Sequence, residues 1–165
     1  MTLTTADDDL CRLIEPNVST TKERVEALKM LHRNGIPTIV WLCPILPFIN
    51  DTPENIRAVL EMCADAGVRG VLCFGMGLTL REGNREYFYS RLDEHFPGLR
   101  EVYTRRFGYS YGISSPRNAE LMSLFHSFCR KNGMLHNNDE IFEYLNRFEE
   151  KTEYLQLSLF DDRKE

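Results

Sequence analysis

Side chains able to do chemistry are spread thinly along this 165-residue chain, and their spacing limits what they can do. Its five cysteines, Cys11, Cys43, Cys63, Cys73 and Cys129, stand too far apart for a CxxC or a compact cluster motif. Three fall in apolar element interiors and read as reduced, buried, small hydrophobes. His32, His95, His126 and His136 lie on or beside expected helices without HxxxH or HExxH spacing, so they are assigned to surface or packing roles and no metal ligand set is expected. Among the acids, Glu15, Asp51 and Glu82 fall near expected strand ends on one rim, as a general acid-base enzyme requires. No His or Lys stands at those strand ends to partner them. The segment 75–84, GMGLTLREGN, contains a GxG that reads either as a tight turn or as a phosphate cradle.

The stretch that must position these residues is GIPTIVWLCPILPFIND, residues 35–51. Its apolar run from Ile36 to Leu42 is expected to be a central strand of a parallel sheet, buried on both faces. The proline-punctuated loop after it would lie at the carboxyl end of the sheet, where parallel α/β proteins place ligands. Before it, Thr20 and Glu23 have capping-box spacing and Val25, Leu28 and Leu31 mark the inner face of a helix that Asn34 and Gly35 end. After it, Thr52 caps a helix with Pro53 in its first turn and Ile56, Val59, Leu60 and Cys63 facing inward, up to Gly67. Val68 to Phe74 is the next expected strand. Each helix-ending glycine precedes a strand, the pattern of successive βαβ crossovers. Beyond residue 84 the pattern is helical: 84–96, 99–107, a helix capped by Ser115 with Pro116 in its first position, and a last helix over 138–150. The domain reading is a βα region over 1–83, a helical carboxyl-terminal extension over 84–150 and a tail over 151–165.

Composition narrows the function classes. With 42% apolar and 27% charged residues the chain is an ordinary globular protein, and its net charge of −5 argues against a general nucleic-acid binder, which needs a dense basic face. A local basic patch stays open. There is neither an apolar run of membrane-spanning length nor a signal peptide at the start, and the cytoplasm is the expected location. In the tail, Gln156, Leu157, Ser158, Leu159 and Phe160 put apolar residues in a polar segment, which either folds back or fits a partner's pocket. QLSLF resembles the peptide by which bacterial polymerases and repair proteins dock on the sliding clamp. That resemblance implies hydrogen bonding by Gln156 and pocket filling by Leu157, Leu159 and Phe160.

The run IEPNVSTTKERVEALKMLHRNGIPTIVWLCPILPFIND, with TLTTADDD before it and FGMGLTLREGN after it, resembles the second half of a radical SAM domain, closest to the branch similar to spore photoproduct lyase. The resemblance implies the carboxyl-terminal half of a partial (β/α)6 barrel of the TIM type, with about three parallel strands. It also implies a four-iron, four-sulfur (4Fe-4S) cluster and S-adenosylmethionine in the intact enzyme, whose 5'-deoxyadenosyl radical abstracts hydrogen from the substrate; the lyase relatives act on a DNA lesion. By the same resemblance Thr4 and Thr5 would lie near the ribose or methionine moiety. Cys43, Pro44, Ile45 and Pro47 would contact the adenine, Phe74 and Gly75 would flank it, and Asn50 with Asp51 would fix the loop or cap the following helix. Glu15 would pair with a basic residue of the rim or stand as an exposed charge. The family's CxxxCxxC loop is absent from these 165 residues. The expectation is therefore a chain that binds no cluster alone and that either self-associates or pairs with an amino-terminal barrel half, in cis or as a separate chain. A non-catalytic adapter for the clamp and an ordinary acid-base barrel enzyme are the alternatives.

Overall fold

A computed structural model describes residues 1–147. The fold is mixed α/β, with seven helices and two small sheets among these residues. The first sheet is parallel and takes its strands in sequence order, β1 (Thr2–Leu3), β2 (Ile39–Leu42) and β3 (Gly70–Leu72). Leu135 adds a parallel bridge beside Gly70 and so extends the sheet past β3. The strand expected over 36–42 thus loses its first three residues and keeps its end at Leu42, whereas the strand expected over 68–74 is shorter at both ends.

The connecting helices form where the caps lie. α1 (Asp8–Ile14) starts on Asp7, whose carboxylate accepts from the N–H groups of Asp9 and Leu10. α2 (Thr21–Arg33) has the reciprocal capping box of Thr20 and Glu23, and burying Val25 and Leu28 fixes its inner face. α3 (Pro53–Asp65) is capped by Thr52, with Ile56, Val59, Leu60 and Cys63 buried. Gly67, at φ +68, ends it, and a Cβ there would lie 2.6 Å from the His32 ring, so both the backbone angle and the packing require glycine.

The second sheet was not expected. β4 (Gly77–Thr79) occupies the segment read as a ligand loop, and β5 (Gly112–Ser114) occupies the Tyr- and Ser-rich segment before α6 (Asn118–Lys131); the two pair antiparallel. Between them run α4 (Asn84–His95) and α5 (Leu99–Phe107). This insertion has a core of its own, Leu80, Tyr89, Leu92, Tyr103 and Ile113. By contrast α6, placed in the helical extension from sequence, packs Leu121, Phe125 and Cys129 into the same core as β1, β2, β3, α2 and α3. Ser115 does not cap α6. Its hydroxyl accepts from Arg117 N–H in a turn and the helix begins at Asn118. The last helix, α7 (Asn138–Leu145), stops at the Asn146 cap, short of the expected end at 150; residues 148–150 lie outside the described region.

One face of the parallel sheet carries no helix over its centre. Val40 and Leu42 are buried toward α2 and α3, but Trp41, on the opposite side of the pleat, is 44% exposed. The expectation of a strand buried on both faces therefore fails at Trp41. Its ring meets Phe74 edge-on at 5.9 Å, and Phe74 meets Phe142 of α7 at 6.2 Å. The outer edge of β1 is partly satisfied by side chains. Trp41 N–H donates to the Met1 carbonyl, so alternation turns the Thr2 carbonyl away from β2, where Arg24 Nη1 donates to it at 3.0 Å. No helix of the described residues is long and apolar enough to cross a membrane.

Candidate functional site at the carboxyl rim

The loop from Cys43 to Asp51 enters through a cis Cys43–Pro44 peptide and is held from within. Asn50 Oδ1 accepts from Leu46 N–H, and Asn50 Nδ2 donates to the Thr4 carbonyl at 2.9 Å. Asn55, on α3, donates to the carbonyls of Thr4 and Asn50 and accepts from Ala6 N–H at 2.9 Å. These amides stitch the rim after β1 to the rim after β2. Asp51 is buried; its Oδ1 accepts from Phe48 N–H at 2.6 Å and its Oδ2 from the Ser115 hydroxyl. Asn50 and Asp51 therefore both structure the loop, and the helix-start role falls to Thr52 alone.

The insertion clasps the other side of this loop. Ile45 N–H donates to the Gly77 carbonyl, and Tyr103, buried and held protonated by that burial, donates its hydroxyl to the Pro47 carbonyl at 2.7 Å. Phe48 lies between Tyr103 and Phe107, at 6.0 and 6.3 Å, with the Arg106 guanidinium over its ring. The loop is consequently the contact between the two cores.

Between this loop, the end of α1 and the inner face of α4 lies a cavity of about 380 Å³. Cys43, Pro44, Leu80 and Phe88 give it apolar walls, and Glu15, Arg91 and His95 stand at its polar side. Such a cavity, mostly apolar with a few polar groups, suits a small organic molecule. His95 Nε2 is buried without a hydrogen-bond partner, its Glu94 neighbour being 3.7 Å away. Glu15 is placed firmly: its Oε2 accepts from the Thr4 hydroxyl at 2.6 Å and pairs with Arg24 Nη1 at 3.2 Å, both side chains being largely buried.

The structure divides the residues expected to touch a nucleoside. Cys43 and Pro44 line the cavity. Thr4 and Thr5 are buried, the Thr4 hydroxyl being given to Glu15 and the Thr5 hydroxyl accepting from Asp7 N–H. Ile45 belongs to the main core. Pro47 points its carbonyl at Tyr103. Phe74 and Gly75 lie by the exposed sheet face, where Phe74 is 63% exposed. Residues 148–165, with Gln156, Leu157, Leu159 and Phe160, lie outside the described region. Sequence reasoning missed Phe88, Arg91 and His95, although their i, i+3 and i+7 spacing marks one face of α4. It read Ser115 as a helix cap and missed its bond to Asp51, which spans 64 positions and leaves no local signal.

All five cysteines are free. Burial pushes Cys73 up to about 11 and Cys63 and Cys129 up to about 12, and it raises the half-buried Cys43 thiol as well. Among the described residues no three His, Cys, Asp or Glu side chains converge as metal ligands. An iron–sulfur cluster held by converging cysteine thiolates does not fit these residues.

No family model and no solved structure matches the chain. Uncharacterized proteins of Mycobacterium bovis and Mycobacterium tuberculosis are 31% identical to it over 109 residues, which is 64% of this chain and 32% of each relative. The chain thus spans about a third of the length of the curated relatives it matches.

Proposed function

We propose that the chain forms part of a radical SAM enzyme of the spore photoproduct lyase-like branch. In this reading β1, β2 and β3 are the closing strands of a partial (β/α)6 barrel, and the remaining strands, in cis or on a separate chain, face the exposed Trp41–Phe74 surface. The observation that carries the reading is the parallel sheet in sequence order, whose central strand feeds a rigid, amide-stitched loop walling a cavity at the carboxyl rim. Cys43 and Pro44 offer the apolar surface that an adenosine needs, and the exposed Trp41 and Phe74 rings offer stacking surface on the adjoining face. When bound, S-adenosylmethionine would supply the 5'-deoxyadenosyl radical for hydrogen abstraction. This chain's part is to shape the pocket and exclude water, with Asn50, Asn55 and Asp51 holding the wall in place. The cluster ligands do not come from its own cysteines.

The test is anaerobic reconstitution with iron and sulfide. The chain alone is expected to give no cluster absorbance and no 5'-deoxyadenosine. Joined to a barrel half carrying CxxxCxxC, it is expected to support cleavage that Cys43→Trp abolishes. Cleavage unchanged by Cys43→Trp would overturn the placement of the nucleoside against this loop. A second reading, an adapter that docks on the sliding clamp, rests on the QLSLF match alone. Clamp pull-down unchanged by alanine at Leu159 and Phe160 would dispose of it.

A further inference from the structure

We propose that His126 and His136 form a two-histidine site for a late first-row divalent metal ion, Zn2+, Ni2+ or Cu2+, which joins α6 to the segment leading into α7. His126 is on the third turn of α6 and His136 follows the Leu135 bridge, and the two rings sit 5.4 Å apart, centroid to centroid, with Phe125 packed beside both. Metal–nitrogen bonds of about 2.0–2.1 Å put a ring centroid about 3.2 Å from its ion, so two rings at this separation are within the span that one shared ion bridges.

His136 Nδ1 lies 3.0 Å from the Met134 carbonyl, an acceptor only, so the proton sits on Nδ1 and Nε2 is left with its lone pair. A ligating histidine is commonly held in this way, with the other nitrogen donating to a backbone carbonyl. Neither ring nitrogen of His126 has a hydrogen-bond partner among the described residues, and the ring is partly open to solvent. The neutral imidazole is the form that ligates. Water would complete the coordination. Imidazole donors favour Zn, Ni and Cu over Mg and Ca. Nearby Cys73 and Met122, with sulfurs 3.8 Å apart, face the core, and the Cys73 thiol stays protonated, so they are not counted as ligands.

The ten-residue separation of the two histidines follows no motif, which is why spacing alone assigned them packing roles. The ion would clamp the Leu135 segment beside β3, the place where the sheet is extended by one bridge.

The experiment titrates Zn2+ into the full chain under reducing conditions. One equivalent, removable by EDTA, is expected to bind, with Tm rising by roughly 8 °C at a hundredfold excess over Kd and with no response to Mg2+. Imidazole NMR signals of His126 and His136 are expected to shift while those of His32 and His95 stay. His126→Gln or His136→Gln is expected to weaken binding at least tenfold, and Cys43→Ser to leave it unchanged. Absence of Zn2+ binding, unaltered affinity in the double glutamine variant, or shifts confined to other histidines would each overturn the proposal.

Discussion

Asp51 is the acid with the most at stake, because both of its carboxylate oxygens hold a donor in a place shut off from water. Asp51→Ala strands the Phe48 N–H and the Ser115 hydroxyl, and the expected loss of stability in urea unfolding is about 3 kcal/mol. Ser115→Ala removes one neutral donor from a carboxylate that keeps its backbone bond, and about 1–2 kcal/mol is expected. The double variant should cost less than the sum, since the two side chains share the lost interaction; additive costs would show that they act separately. The cysteines make a second residue-scale prediction. Burial keeps every shifted thiol protonated at pH 8, and Cys43 is the cysteine that is not fully buried. Iodoacetamide should therefore label Cys43 alone in the folded chain, more slowly than a free thiol. Its rate should climb as pH rises past the ordinary cysteine range, because the raised thiol yields thiolate only there. Mass spectrometry of the tryptic peptides checks both site and rate.

At the scale of elements, the insertion hangs on the β4–β5 pair, and Gly77 is its tightest point. A Cβ at residue 77 would sit 2.0 Å from the Ile113 carbonyl oxygen, a backbone atom that cannot swing aside. Gly77→Ala is expected to part the two strands and to lose amide protection at Leu78 and Leu80, while the amides of β2 and β3 keep theirs; uniform loss would mean that the two cores melt as one. The same pair shows why part of the fold escaped sequence reasoning. Thr20 with Glu23, and Thr52 with Pro53, are local signals, and the structure has those helices where the caps lie. β4 and β5 are three residues each, begin with glycine and offer no length of alternation to count, so they read as loops. Their strand character comes from pairing across the helical insertion. Ile36 and Trp41 misled in another way: apolar type suggested burial, but whether a strand face is covered depends on what packs over it, and no local pattern encodes that.

For the molecule as a whole, the two cores share one loop. Asn55 is its main tether, with bonds to Ala6, Thr4 and Asn50, so Asn55→Ala should cost about 2–3 kcal/mol and expose the Ala6 amide to exchange while helix content is kept. The candidate cavity was half legible: the strand-then-loop pattern put the loop at the carboxyl rim and the resemblance named Cys43 and Pro44 within it, whereas the α4 wall required knowing that the insertion folds back over the rim. The insertion itself also enters and leaves the main body at one point. Ser115 N–H donates to the Met76 carbonyl at 2.7 Å, and Met76 N–H to the Asn118 side chain at 2.8 Å, so the chain departs and returns within a hydrogen bond's reach. Such a junction makes the segment from β4 to β5 a cassette. A short glycine linker in its place would leave every strand of the parallel sheet and its helices in their order, and would turn the cavity into an open shelf. The wall and the sheet are thus separable parts of one chain.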